Sequence, residues 1–119
     1  MTYDNENIFA KILRGNIPND TVYEDEYVLA FKDINPLCPI HVLVIPKNPF
    51  TDASDFNSRA TPDEITGFWK GLEATLELLE IRDGYRLIAN PGRNGGQEVP
   101  HYHVHILGGC SVGPMVSRN

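Results

Sequence analysis

The sequence is poor in cysteine, with two in 119 residues, Cys38 and Cys110, and no C-x-x-C pair. That spacing excludes a zinc knuckle or a thioredoxin-type motif, and the two residues read as incidental reduced thiols. Positive charge is also in deficit: ten Lys and Arg face sixteen Asp and Glu, for a formal charge of -6. A chain so charged repels a polyanion at long range, which disfavours nucleic acid as a partner. No apolar stretch approaches the roughly 18 residues needed to cross a membrane. The opening Met1-Thr2-Tyr3-Asp4-Asn5-Glu6 lacks the basic and apolar regions of a secretory signal, so a cytoplasmic protein is expected. Repeats, low-complexity tracts and long linkers are missing too, and the length suits one domain spanning 1–119. What is present is an ordinary globular composition, 41% hydrophobic and 22% charged.

Turn signals separate short periodic segments. Ile8, Phe9, Ile12 and Leu13 stand at helical spacing and are closed by Gly15 and Pro18, which predicts a short amphipathic helix. The period then changes to two. Thr21 to Glu24 and Tyr27 to Lys32 read as a hairpin around Asp25-Glu26, and Ile40 to Ile45, apolar except for His41, as a central strand covered on both faces. Thr61-Pro62-Asp63-Glu64 opens a long helix: Thr as N-cap, Pro at the first helical position, and Glu three residues after the Thr. Its stripe of Ile65, Phe68, Trp69, Leu72, Leu76 and Leu79 is core or subunit interface, and the helix should reach about Ile81. Asp83-Gly84 turns into a strand at Tyr85 to Ala89. A glycine-rich loop from Asn90 to Gln97 then leads to a last strand, His101 to Leu107. The expected fold is α+β, a mainly antiparallel five-stranded sheet with one long and one short helix.

Three of the four histidines alternate at His101, His103 and His105. On a strand they share one face, about 7 Å apart, while Tyr102, Val104 and Ile106 take the other. Core packing does not account for such a row, because each imidazole needs a polar partner. Two chemistries use it. Alternating imidazoles bind zinc with a third ligand from elsewhere, for which His101, His103 and His41 are the candidates. Alternatively the middle imidazole is a nucleophile, one neighbour fixing its tautomer and the other lending a proton. Gly92, Gly95 and Gly96 let backbone N–H groups approach an anion, and Asn90 and Gln97 add neutral polar groups, so phosphate chemistry is favoured over metal hydrolysis. The Lys-Ser/Thr ending of a Walker loop is absent.

His101-Tyr102-His103-Val104-His105-Ile106-Leu107 resembles the histidine triad signature, and the following Gly108-Gly109 is similar to the Hint branch of that superfamily. Ile8 to Ile12 with Ile17-Pro18, Phe31 to Pro36, Pro39 to Lys47 and Gly95-Gly96-Gln97 extend the resemblance over most of the chain. It implies a homodimer, its sheet continued across the two-fold axis, that cleaves purine nucleoside 5′-phosphoramidates without a cofactor or metal. His103 would attack the α-phosphorus to give a nucleotidyl-histidine, His105 would contact the phosphate or bridging atom, and His101 and His41 would orient the row. The resemblance places Asp33 on the ribose hydroxyls, Asn90 and Gln97 on the phosphate side, and Phe9, Ile17, Phe31 and Ile34 around the purine. Read by themselves, those four apolar residues are plain core. Glu98 stands where many members have Ser or Thr, either as a proton relay in the nucleotide site or as a solvated side chain. Other readings are a nucleotidyl transferase, which would carry Gln at position 105, a dinucleoside polyphosphate hydrolase, which would end in a Pro-Arg type pair, and a noncatalytic nucleotide- or partner-binding module.

Overall fold

The computed structural model describes residues 2–117. Its first element, helix α1 (Ile8–Leu13), starts where the Asn7 side chain accepts the Ala10 N–H. It stops at Gly15, whose φ of 81° suits glycine best. Strands β1 (Thr21–Glu24) and β2 (Val28–Lys32) form the expected hairpin. The Asp25 carboxylate closes it by accepting the Tyr27 and Val28 N–H groups. Strand β3 (Ile40–Pro46) pairs antiparallel with β2 and is buried along almost its whole length, as a central strand should be.

Helix α3 (Pro62–Leu79) begins with the full capping box, Thr61 and Glu64 each bonded to the other's backbone N–H. It ends two residues short of Ile81, because Glu80 turns left-handed at φ 50°. Strand β4 (Tyr85–Ile88) follows, and β5 (Val104–Gly108) inserts between β3 and β4. The sheet order is β1-β2-β3-β5-β4, antiparallel throughout.

Two short helical segments join the two that were expected. Helix α2 (Ala53–Arg59) carries one buried apolar residue, Phe56, too few to show a period. It is secured by the Asp52 cap and by Arg59, which bonds the Asp55 carboxylate and keeps its pKa well below the usual range. Helix α4 (Gly92–Gly95) is a single turn within what reads as a glycine loop.

Alternation along β2, β3 and β5 divides the core between the two sheet faces. Val28, Ala30, Val42, Val44, Val104 and Ile106 pack with Phe68, Leu72 and Leu76 of α3. Leu29, Phe31, Leu43 and Ile45 pack with Phe9 of α1.

The last strand begins at Val104 and not at His101. Continuing the β3–β5 register would set Tyr102 opposite Pro46, which has no N–H to donate. The Pro46 carbonyl is taken by the His101 ring, and the Tyr102 N–H goes to the Phe50 carbonyl instead. His101 and His103 therefore lie on the approach to β5, with only His105 inside it, although Tyr102 still packs on the α3 side.

Candidate active site

That irregular approach sets the histidine chemistry. The His103 Nδ1 lies 2.6 Å from the His101 carbonyl oxygen. A carbonyl only accepts, so Nδ1 holds the proton and Nε2 keeps its lone pair. Burial holds the His103 pKa below the ordinary histidine value, so the ring is neutral and nucleophilic near pH 7. The His101 Nε2 donates to the Pro46 carbonyl at 2.8 Å, which leaves Nδ1 to accept from the Tyr3 hydroxyl at 2.5 Å. Burial pushes the His101 pKa down to about 4.

A second chain of bonds orders the other pair. The Leu37 N–H donates to the His41 Nδ1 at 3.1 Å, so the proton of His41 sits on Nε2. That atom is 3.0 Å from the His105 Nδ1 and 3.4 Å from the Asp33 Oδ2. The His105 Nδ1 accordingly accepts, and its Nε2–H remains as a donor. Burial, then the neighbouring His103 and His41, push the His105 pKa down to about 4. The result is a row of imidazoles in which His103 presents a lone pair and His105 an N–H. Their ring centroids are 5.1 Å apart for His103 and His105 and 5.2 Å apart for His41 and His105.

The rings of His41, His103 and His105 open onto a cleft with two adjoining halves. The polar half, about 430 Å³, is lined by His41, His103 and His105 with Asn90, Gly96 and Leu37. The apolar half, about 450 Å³, is lined by Ile8, Ile12, Pro18 and Phe31. Phe9, Asp33, Asn35, Leu43, Glu98 and Val99 border both. The ring of Phe9 stands edge-on to His103, with centroids 5.0 Å apart.

Most of the anticipated residues meet here, and some take other places. Ile17 is half-buried but does not line the cleft, where its neighbour Pro18 stands instead. Ile34 is on the rim, 86% exposed. The Gln97 amide is occupied by the backbone: Oε1 accepts the Gly92 N–H, and Nε2 donates to the Thr51 and Val99 carbonyls. Gln97 thus holds the loop that places Asn90 and Gly96. The N–H groups of Gly92, Gly96 and Gln97 are bonded within that loop and are not offered to an anion. Sequence reasoning missed Leu43, Asn35 and Val99. Of these, Leu43 was within reach, since it follows His41 by two on a strand and so faces the same way.

The proposed zinc set of His101, His103 and His41 is not assembled, because both His101 nitrogens have protein partners. Asp33, His41 and His105 do bring three ligand-capable atoms within 4.8 Å of one another.

Comparison with known proteins bears on the family of the chain. The HIT domain family matches residues 14–112. An uncharacterised 13.2 kDa HIT-like protein of Azospirillum brasilense is 47% identical, covering 98% of this chain and 97% of its own. The purine nucleoside phosphoramidase of Escherichia coli K12 is 44% identical over 95% of both chains. The structure of a HIT family hydrolase from Clostridium thermocellum superposes with a TM-score of 0.85 at 38% identity, covering 96% of this chain and 99% of that one. With the histidine row, the sheet order and these likenesses in accord, the chain belongs to the HIT family.

Proposed function

We propose that the protein hydrolyses purine nucleoside 5′-phosphoramidates through a covalent nucleotide on His103. The observation that carries this reading is the fixed tautomer of His103, whose Nδ1–H is held by the His101 carbonyl and whose Nε2 lone pair borders the cleft. The purine lies in the apolar half against Phe9, Phe31 and Leu43. Asp33, at the junction of the halves, accepts hydrogen bonds from the ribose hydroxyls, and the α-phosphate meets the histidines. His103 Nε2 attacks phosphorus, the P–N bond of the substrate breaks, and the amine leaves with a proton taken up from solvent. His105 Nε2–H donates to the phosphate or to the departing nitrogen. Because Nδ1 stays protonated, the adduct is a cationic phosphoryl-imidazolium, a good leaving group. Water then displaces it and returns one proton to solvent, releasing the nucleoside monophosphate and restoring neutral His103.

The 44% identity to a protein named as a purine nucleoside phosphoramidase supports the choice of substrate. Metal is not needed for these steps, since the N–H of His105 meets the charge of a phosphoramidate. The test is mass spectrometry of protein quenched during turnover of adenosine 5′-phosphoramidate after dialysis against EDTA. A nucleotidyl adduct is expected on the parent and none on His103→Asn, whose turnover should fall by at least about a hundredfold. Turnover that needs added zinc would instead favour a metal at Asp33, His41 and His105.

A further inference from the structure

Cys38 and Cys110 are far apart in the sequence, yet they face each other in the fold. They lie just past Ile40↔Gly108, the last pair at that end of β3 and β5. The Cys110 thiol lies 3.1 Å from the Cys38 sulfur. A disulfide spans roughly 3.5–4.5 Å between Cβ atoms, and sulfurs already 3.1 Å apart need only a small adjustment to reach it. The backbones on either side are already close: a side chain at Gly109 would touch the Pro39 Cβ at 3.1 Å. Arg86 holds the segment beyond Cys110, donating to the Gly113 carbonyl at 2.7 Å and the Pro114 carbonyl at 3.1 Å. Cys110 is exposed and lines a surface hollow of about 770 Å³, so a small oxidant has access to it.

We propose that Cys38 and Cys110 are a modification site, forming a reversible intramolecular disulfide when the protein meets a hydroperoxide. The Cys110 thiolate attacks the peroxide oxygen, the O–O bond breaks, and the sulfur becomes a sulfenic acid with release of water or an alcohol. The Cys38 thiolate then attacks the Cys110 sulfur and expels hydroxide, which takes up a proton. Two thiols lose two electrons and two protons, and the peroxide gains them. Cys110 is exposed and Cys38 half-buried, so the peroxide meets Cys110 first, and the contact with Cys110 and partial burial raise the Cys38 thiol. The disulfide fastens loop 33–39 to the end of β5. That loop also carries Asp33 and the Leu37 N–H that holds the His41 Nδ1, so the oxidation state of the sulfurs reaches the cleft through it.

The whole chain is treated with an equivalent of hydrogen peroxide, alkylated under denaturing conditions and weighed. The expected product is a monomer lighter by about 2 Da that takes up no alkyl group and yields one peptide pair joining Cys38 to Cys110. Dithiothreitol should restore the starting mass. The oxidised form should melt about 5 °C or more above the reduced form, while Cys38→Ser and Cys110→Ser treated alike show no rise. The His41 ring resonances should shift on oxidation of the parent and not of Cys110→Ser. A doubled mass, a sulfinic acid at Cys110 beside an alkylated Cys38, or a melting temperature unchanged by the cross-link would overturn the proposal.

Discussion

Asp33 shows how one side chain serves two partners. Its Oδ1 accepts the Asn35 N–H at 2.8 Å, which fixes the carboxylate on its loop. Its Oδ2 faces the His41 Nε2 at 3.4 Å, while the residue as a whole borders both halves of the cleft. An acceptor at that junction suits the two hydroxyls of a ribose, each a donor. Asp33→Ala should weaken adenosine monophosphate by about tenfold and its 2′-deoxy analogue by clearly less, as measured by calorimetric titration. Equal losses would remove Asp33 from the ribose site. The histidine row was legible because alternating imidazoles stand out in a sequence, whereas Asp33, one of sixteen acids, was reached only through the family resemblance. The roles of Gln97 and Ile17 were not: a Gln bonded to the Thr51 carbonyl reads the same as a Gln facing a phosphate, since its partner lies 46 positions away.

Among the elements, α3 and its seat on the hairpin bear most of the packing on one sheet face. Gly71 lets the helix approach β2 so closely that an added methyl would collide with the Val28 side chain, and Gly67 does the same against the Tyr27 ring. Glycine inside a helix costs about 1 kcal/mol relative to alanine, so its presence twice in α3 reflects this contact. Gly71→Ala should destabilise the protein by about 1–2 kcal/mol in urea unfolding, the overlap with buried Val28 outweighing the gain in helix propensity. A more stable variant would show that β2 has room to yield. The capping box made the start of α3 plain in the sequence, because every partner lies within four residues. The start of β5 was hidden, because it depends on the missing N–H of Pro46 in another strand.

At the scale of the molecule, buried neutral histidines tie stability to pH. The unfolded chain binds protons at histidine near pH 6.5, whereas His101 and His105 in the fold stay neutral down to about 4. Below pH 6.5 the unfolded state therefore holds more protons, and stability falls as pH drops through that interval. Their stabilising effect should be complete above about pH 7 and fall progressively toward pH 4, with His101 responsible for up to about 3 kcal/mol. Urea midpoints measured at pH 7, 6 and 5 check this, and a flat profile would show that the rings protonate in place.

Surface composition bears on assembly. Strand β4 is an edge of the sheet with Tyr85 49% and Leu87 39% exposed, and α3 leaves Leu78 60% and Trp69 45% exposed. Unpaired edges flanked by apolar side chains favour pairing with a second copy. A C2 homodimer is expected, with sedimentation at micromolar concentration giving about twice the 13.3 kDa of one chain. A monomer mass would refute it. Among the described residues no helix is long and apolar enough to cross a membrane.

The sequence by itself determined the five strands and helices α1 and α3, the hairpin, the capped start of α3 and the gathering of imidazoles, because those features depend on periodicity and on partners a few residues away. The α+β class and the antiparallel five-stranded sheet were legible on the same grounds. Only the tertiary structure decided which ring nitrogen of His101 and of His41 holds the proton, since the deciding groups are the Pro46 carbonyl, the Tyr3 hydroxyl and the Leu37 N–H. It also decided that two cysteines with no spacing motif meet across the end of a strand pair. Both outcomes depend on contacts between segments far apart in the chain, which no local pattern encodes, because they arise only when the fold brings those segments together.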